Sequence, residues 1–206
     1  MTDPEVFRPR SGYIFFALAA IGSAIYTYQS FRYFSFASGI TTALWSGLLL
    51  TIAYLIFVRP KVVIYDEGIT ITNPLYEITR SWADVITIDV RYTMSIRLHE
   101  EIKLPWHRKA TETIYAFAAP APGRYHSRSI HPSDLRGVGI SHEAALRPGD
   151  SPRSHSGQAA AIARLRQQRF EKQSAPTRIE SRYSKNSSIQ GFILALAVMI
   201  GIDIAL

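Results

Sequence analysis

Two long apolar runs open the chain, an alternating apolar-polar stretch follows, and a third apolar run closes it. Gly12 to Tyr28 and Ile40 to Val58 are almost free of charge and apolar on every face. A hydrocarbon core about 30 Å thick takes roughly 20 helical residues at about 1.5 Å each. The two runs therefore predict transmembrane helices over 11–30 and 38–58, preceded by a short tail over 1–10. Burial of both inside a globular core is the alternative, but the rest of the chain is too small to wrap two helices that lack a polar face. Tyr13 at one end of the first run, with Tyr26 and Tyr28 at the other, fits aromatic belts at the two interfaces. The first run also has signal-peptide features, with Arg8 and Arg10 before it and small residues near Ala20 to Ala24. Its continuation through Ile25, Tyr26 and Tyr28, and the second run straight after it, favour a retained helix. Phe31, Tyr33, Phe34 and Phe36 surround Arg32 in the short connection, which suits a tight helical hairpin turning among lipid headgroups.

The third run, Ile189 to Leu206, would span about 27 Å as a helix. It has no polar face, so it predicts a C-terminal membrane anchor over 189–206 and not a helix lying flat on a surface. Asp203, three residues from the end of the sequence, reads as an interfacial carboxylate in preference to an intramembrane functional one. Positive charge then sets the expected orientation. Arg8 and Arg10 precede the first run, Arg59 and Lys61 follow the second, and Arg178, Arg182 and Lys185 precede the third; the hairpin turn has only Arg32. Because Lys and Arg are retained inside, the N-terminus and 59–188 are expected in the cytoplasm and the C-terminus outside.

Between the second and third runs the period changes to two. Lys61 to Tyr65 and Ile69 to Asn73 predict paired strands around Asp66-Glu67-Gly68, with Gly68 expected to supply a positive φ. Pro74 marks the next turn, and Leu75 to Trp82, Asp84 to Tyr92, Met94 to Glu100 and Thr113 to Ala119 continue the series. Short strands at this spacing predict an antiparallel sandwich or small barrel. The stretch 118–157, rich in Pro, Gly, Ser and Arg, reads as a long flexible loop. Gln158 to Lys172 predicts a helix whose stripe of Ala159, Ile162, Ala163 and Phe170 caps the sheet, with Arg166 intruding on it. A linker over 174–188 completes the segment, giving a domain over 61–173 of α+β order.

Composition sharpens this picture. Of the 23 Lys and Arg residues, 20 fall in 59–188 beside 13 of the 16 acids, so the basic character belongs to that segment. Cysteine is absent, which excludes disulfides, thiolate metal sites and thiol nucleophiles.

The run from Lys61 to Val85 resembles the opening of the bacterial pleckstrin-homology-like domain of the low-molecular-weight protein antigen 6 group, found in actinobacterial membrane proteins. The resemblance rests on Asp66-Glu67-Gly68, Asn73-Pro74-Leu75, Trp82 with Asp84-Val85, and Arg147 to Pro152 before the Ala-rich helix. It covers roughly 11–172 and implies a transmembrane helix pair followed by a curved β-barrel closed by its last helix, with no assigned activity.

Candidate chemistry is sparse. His99, His107, His126, His131, His142 and His155 form no HExxH and no i, i+4 pair, so solvated histidines outweigh a metal site. Ser, His and Asp lie close together in 147–157, but triad members need separate rigid supports. No phosphate loop, catalytic set or cofactor site is expected. The acidic Asp66-Glu67 turn would repel an inositide phosphate. Arg59, Lys61, Arg178, Arg182 and Lys185 suit anionic headgroups, at about 1 kcal/mol each, or serve only to fix topology. A basic face interleaved with aromatics is missing, so nucleic acid is not an expected partner. The expectation is a non-enzymatic interaction or scaffold module at the inner face of the cytoplasmic membrane, in contact with the bilayer and an unidentified membrane or cytosolic protein. An exposed sheet edge or the groove between sheet and helix is the expected docking place. An anionic-lipid sensor and an integral-membrane enzyme are the alternatives. The residues expected to carry the fold are Gly68, Pro74, Trp82, Ile162 and Phe170.

Overall fold

The alternating segment forms two antiparallel sheets. Strands β1 (Glu5–Phe7), β2 (Lys61–Ile64), β3 (Gly68–Thr72), β4 (Tyr76–Ser81) and β8 (Arg182–Lys185) make one, in the order β1-β2-β3-β4-β8. Strands β5 (Val85–Val90), β6 (Thr93–Ile102) and β7 (Thr111–Pro120) make the other. The computed structural model describes residues 1–90, 93–104, 109–120, 155–174 and 176–205. It divides into two compact units: Met1–Arg8 with Pro60–Ser184, and Pro9–Arg59 with Lys185–Leu206.

In the first unit, alternate residues of both sheets point into one core. Val62, Ile64, Ile71, Trp82, Ile96 and Ile114 are buried there. Helix α3 (His155–Glu171) lays Ala159, Ala160, Ala163 and Phe170 on the same core, with Ile162 at its margin. Small side chains at that spacing let the helix come close to the sheets. The architecture is α+β, with β1 to β7 preceding the helix and β8 following it.

Several boundaries differ from expectation. The tail over 1–10 contains a strand: Glu5 faces Ile64 and Phe7 faces Val62, antiparallel. The linker over 174–188 contains β8, joined to the β4 edge. Both short segments escape a period-two reading because three or four residues show too little alternation. Trp82 begins a 3-10 turn (Trp82–Asp84) and does not end a strand. Most of the stretch read as a flexible loop, 121–154, lies outside the described residues, as do His107, His126, His131, His142 and Arg147 to Pro152. Strand β7 runs to Pro120 and α3 begins at His155, so both ends of that stretch are regular.

Gly68 also needs correction. Its backbone is not left-handed; it sits in β3 opposite Ser81, where a Cβ would fall 2.2 Å from the Arg80 carbonyl oxygen. Close approach of the neighbouring strand, not turn geometry, is what requires glycine. Pro74 stands in the β3–β4 turn, which closes by Asn73 N–H donating to Tyr76 C=O at 2.8 Å.

The second unit is helical. Helix α1 (Arg10–Tyr33) turns at Phe34-Ser35 into α2 (Phe36–Ala53), which widens into a π turn over Tyr54–Val58. Ser35 caps α2 by accepting from Ser38 N–H at 3.1 Å. At the open end of the hairpin a Cβ on Gly12 would meet the Phe57 carbonyl oxygen at 2.0 Å, so only glycine permits this crossing. Ser11–Tyr33 and Phe36–Val58 are long and apolar enough to cross a membrane. Helix α4 (Ser187–Ala205) packs on α2, with Leu196 approaching Gly47. Its apolar part, Ile189–Ile204, is shorter than either hairpin helix.

Tyr183 on β8 stands beside Tyr76, ring centroids 6.2 Å apart. Its hydroxyl is buried with no hydrogen-bond partner among the described residues. Burial, then the neighbouring Tyr76, pushes its pKa up, so the phenol stays neutral at ordinary pH. Tyr183→Phe is expected to leave stability unchanged or raise it by up to about 1 kcal/mol, because the wild type desolvates a hydroxyl without compensation. Urea unfolding of the purified full chain in detergent measures this, and a clear loss would mean the hydroxyl has a partner.

Candidate interaction sites

Arg166 is a heavily engaged side chain of the β unit. Its helix position faces the core, and the residue is 4% exposed. A buried guanidinium needs charge and acceptors around it. Here three carboxylates supply them, two from the N-terminal segment and one from the turn after β2. Nη1 donates to Asp66 Oδ1 at 2.5 Å, and Nη2 donates to Asp3 Oδ2 at 2.8 Å and Glu5 Oε1 at 3.0 Å. Burial alone would lower the Arg166 pKa, but the bonds it donates to Glu5 and Asp3 and the charge of Asp66 carry it upward. The cation that looked like a flaw in an apolar stripe is therefore the clasp for β1. A signal for it exists in the sequence: an Arg at a core helix position calls for acids, and the tail supplies Asp3 and Glu5.

The adjacent acid of the turn is occupied as well. Glu67 accepts from Thr2 Oγ1 at 2.7 Å and from Thr2 N–H at 3.0 and 3.1 Å. The Asp66-Glu67 turn is thus covered by the N-terminal segment. Burial works to raise the Glu67 pKa, but hydrogen bonds from the Thr2 hydroxyl and amide outweigh it and hold the group below its ordinary 4.5. A depressed carboxylate stabilises the folded form above 4.5, and that contribution is lost as pH falls through the folded-state value. Amide protection over 2–7 is therefore expected to fall below pH 4.5 before protection of β3 does, and Glu67→Gln should flatten the difference. Parallel loss in both strands would contradict the clasp.

On the outer strands of the three-stranded sheet, side chains take several backbone groups. On the β5 edge, Ile88 C=O accepts from Arg164 Nε and Nη2 at 3.1 and 2.9 Å, and Val85 C=O accepts from Gln167 Nε2 at 2.7 Å. On β7, Asn73 imitates a passing strand: Nδ2 donates to Tyr115 C=O at 2.8 Å and Oδ1 accepts from Phe117 N–H at 2.9 Å. The groove between helix and sheets is filled by the alanines and Phe170. These bonds satisfy groups on β5 and β7 that would otherwise stay unpaired, while β1 and β8 are the outer strands of the five-stranded sheet. One exposed face is on the three-stranded sheet: Tyr115 (56%) and Phe117 (52%) project side by side from β7, with the Arg97–Glu112 ion pair at 2.9 Å on the same sheet.

Of the expected membrane-surface residues, Arg178, Arg182 and Lys185 are exposed, while Arg59 and Lys61 are half-buried. Trp82 and Phe170 are in the core, and Trp82 Nε1 donates to Tyr65 C=O at 3.1 Å.

The helical unit holds a second site. Hydroxyls bridge α1 and α2, Thr27 to Ser46 at 3.1 Å and Ser30 to Thr42 at 2.7 Å. Beside them lies an open cleft of about 580 Å³, walled by Gly22, Ser23 and Tyr26 of α1 and by Thr41, Thr42 and Trp45 of α2. Thr41 Oγ1 donates to Asp203 Oδ2 at 2.5 Å, which brings the carboxylate of α4 to the margin of that cleft. Asp203 therefore contacts a neighbouring helix, which the interfacial reading did not anticipate.

No family model matches this chain, and neither a curated protein nor a solved structure matches it. The functional reading consequently stands on the geometry above.

Proposed function

We propose that this chain is a membrane-anchored, non-enzymatic interaction module whose β unit is a pleckstrin-homology-like domain held at the inner face of the cytoplasmic membrane. The observation that carries the reading is the way the helical hairpin is joined to the sheet. Only Pro9 and its neighbours separate β1 from α1, and only Arg59-Pro60 separate the π turn from β2. A domain tethered on both sides of a hairpin cannot leave the bilayer, so it has no need of lipid recognition for recruitment. Confinement to a thin layer gives a neighbour an effective concentration near the mM range, where weak contacts suffice. The pairing of β1 with β2 supports the expectation that the N-terminus and the β unit share one side. The basic flanks favour the cytoplasmic side, and α4 acts as a third anchor.

The face bearing Tyr115 and Phe117 is the contact surface for a neighbouring protein, since two large apolar side chains stand exposed together there. A photo-crosslinking amino acid at either position is expected to capture a discrete protein in intact cells, whereas one at exposed Glu171 is not. Capture of lipid alone would remove the interaction module in favour of the lipid sensor. That second reading draws on the exposure of Arg178, Arg182 and Lys185. It requires that these residues lose hydrogen exchange in anionic nanodiscs relative to zwitterionic ones, with salt reversing the effect.

A further inference from the structure

Strand β1 occupies an edge that it does not fill. It pairs Glu5 with Ile64, Val6 with Val63 and Phe7 with Val62, while β2 itself runs to Lys61. Pro4 and Pro9 flank it, and neither has an N–H with which to extend a ladder. Continuing the register by one residue would set Arg8 against Lys61, and like charges directly opposite one another are unfavourable. Val6 is 55% exposed. Asp3 holds a φ of 47°, a left-handed conformation that costs free energy outside glycine. The backbone ladder alone holds this strand loosely.

Side-chain chemistry secures it instead. Asp3 and Glu5, two residues apart, both accept from Nη2 of Arg166. Phe7, two further on, packs against the core. Without this segment Arg166 would keep Asp66 as its one carboxylate among the described residues. A guanidinium at a core helix position then calls for replacement acids. The edge therefore has both parts of a strand-addition site. Strand β2 offers a backbone to pair along, and a fixed cation selects what the incoming strand carries.

The geometry points to exchange at this edge: an extended acidic segment of a partner protein takes the place of β1 beside Arg166. Strand β1 is the pattern for that ligand, with acids at alternate positions and an aromatic residue two further on. A segment free of proline can pair along all of β2, and an acid at the position of Arg8 meets Lys61. The site lies within the β unit and on the five-stranded sheet, whereas Tyr115 and Phe117 belong to the other sheet. It is therefore a second surface, tested apart from the first.

The test uses the full chain in detergent and a fluorescent synthetic peptide of residues 2–8 carrying Pro4→Val and Arg8→Glu. A control peptide carries Asp3→Asn and Glu5→Gln as well. The acidic peptide is expected to bind about tenfold more tightly than the control, because the control sets neutral amides against Arg166. Asp3→Asn with Glu5→Gln in the chain itself loosens β1. That chain should bind the acidic peptide about tenfold more tightly than wild type, with hydrogen exchange rising over 5–7 and β3 still protected. Arg166→Lys should weaken the acidic peptide several-fold, since an ammonium lacks the planar fork that engages two carboxylates. Equal binding of the two peptides, or no binding to either chain, overturns the proposal. Equal binding of the acidic peptide by the wild-type and loosened chains overturns it too, since the peptide then adds outside β1. So does a loosened chain that dimerises and ignores the peptide, because a second copy's strand then fills the edge. If the double variant loses protection in β3, the two peptides compared on the wild-type chain decide alone.

Discussion

Replacing Trp82 with alanine is expected to destabilise the β unit by about 3–5 kcal/mol, the largest effect of any single substitution in it. The indole is 2% exposed and lies where the first sheet gives way to the second, among Ile64, Ile69 and Val85. Truncation empties a core site and also orphans Tyr65 C=O, which accepts from Nε1. Trp82→Phe should recover most of the packing but not that bond, leaving a deficit of about 1 kcal/mol. Urea unfolding of the full chain in detergent, followed by hydrogen exchange in β3 and β6, distinguishes the three proteins. An unchanged midpoint for Trp82→Ala would place the ring outside the core and refute the packing described above.

Asn73→Ala is expected to have the second largest effect, about 2–4 kcal/mol, although it removes few atoms. Asn73 is 4% exposed, and its amide satisfies one donor and one acceptor of β7 at once. Each buried group left without a partner costs about 1–3 kcal/mol. Asn73→Asp is a sharper probe. It keeps the shape and the acceptor toward Phe117 N–H, but it sets an oxygen against Tyr115 C=O. It should therefore be at least as destabilising as alanine when ionised and partly recover as acid protonates it. Exchange of the Phe117 amide reads the effect directly, and slow exchange in Asn73→Ala would mean that another group closes this edge.

The sequence makes some of these features readable and hides others, and the difference is physical. Strands β2 to β7 alternate long enough for a period of two to show, and the hairpin helices are apolar for as long as a bilayer is thick. Trp82, Ile162 and Phe170 could be placed near the core because large apolar groups have few alternatives. Gly68 could be singled out, but not for the right cause, since a close approach by Arg80 C=O depends on a strand not yet paired. Strands β1 and β8 leave almost no local pattern and exist through their partners. Arg166 shows the limit most clearly. Local patterning makes it an intruder, and only the arrival of Asp3, Glu5 and Asp66 from distant positions makes it a clasp. The contacts of Asn73 are hidden for the same reason, since no periodicity announces that a side-chain amide will stand in for a strand.

The place of β1 constrains biogenesis. The segment that forms it leaves the ribosome before its mate β2, which follows only after the entire hairpin, and the Arg166 that secures it comes later still. The sheet margin therefore stays open while α1 and α2 find their place. If those helices traverse a bilayer, β1 and β2 can meet only after an even number of crossings. A nascent chain that inserted one helix and stalled would leave the two strands on opposite sides with nothing to pair. Removing the leader up to Ala24 would be just as damaging, because it would strip Asp3 and Glu5 from a guanidinium that has already been buried.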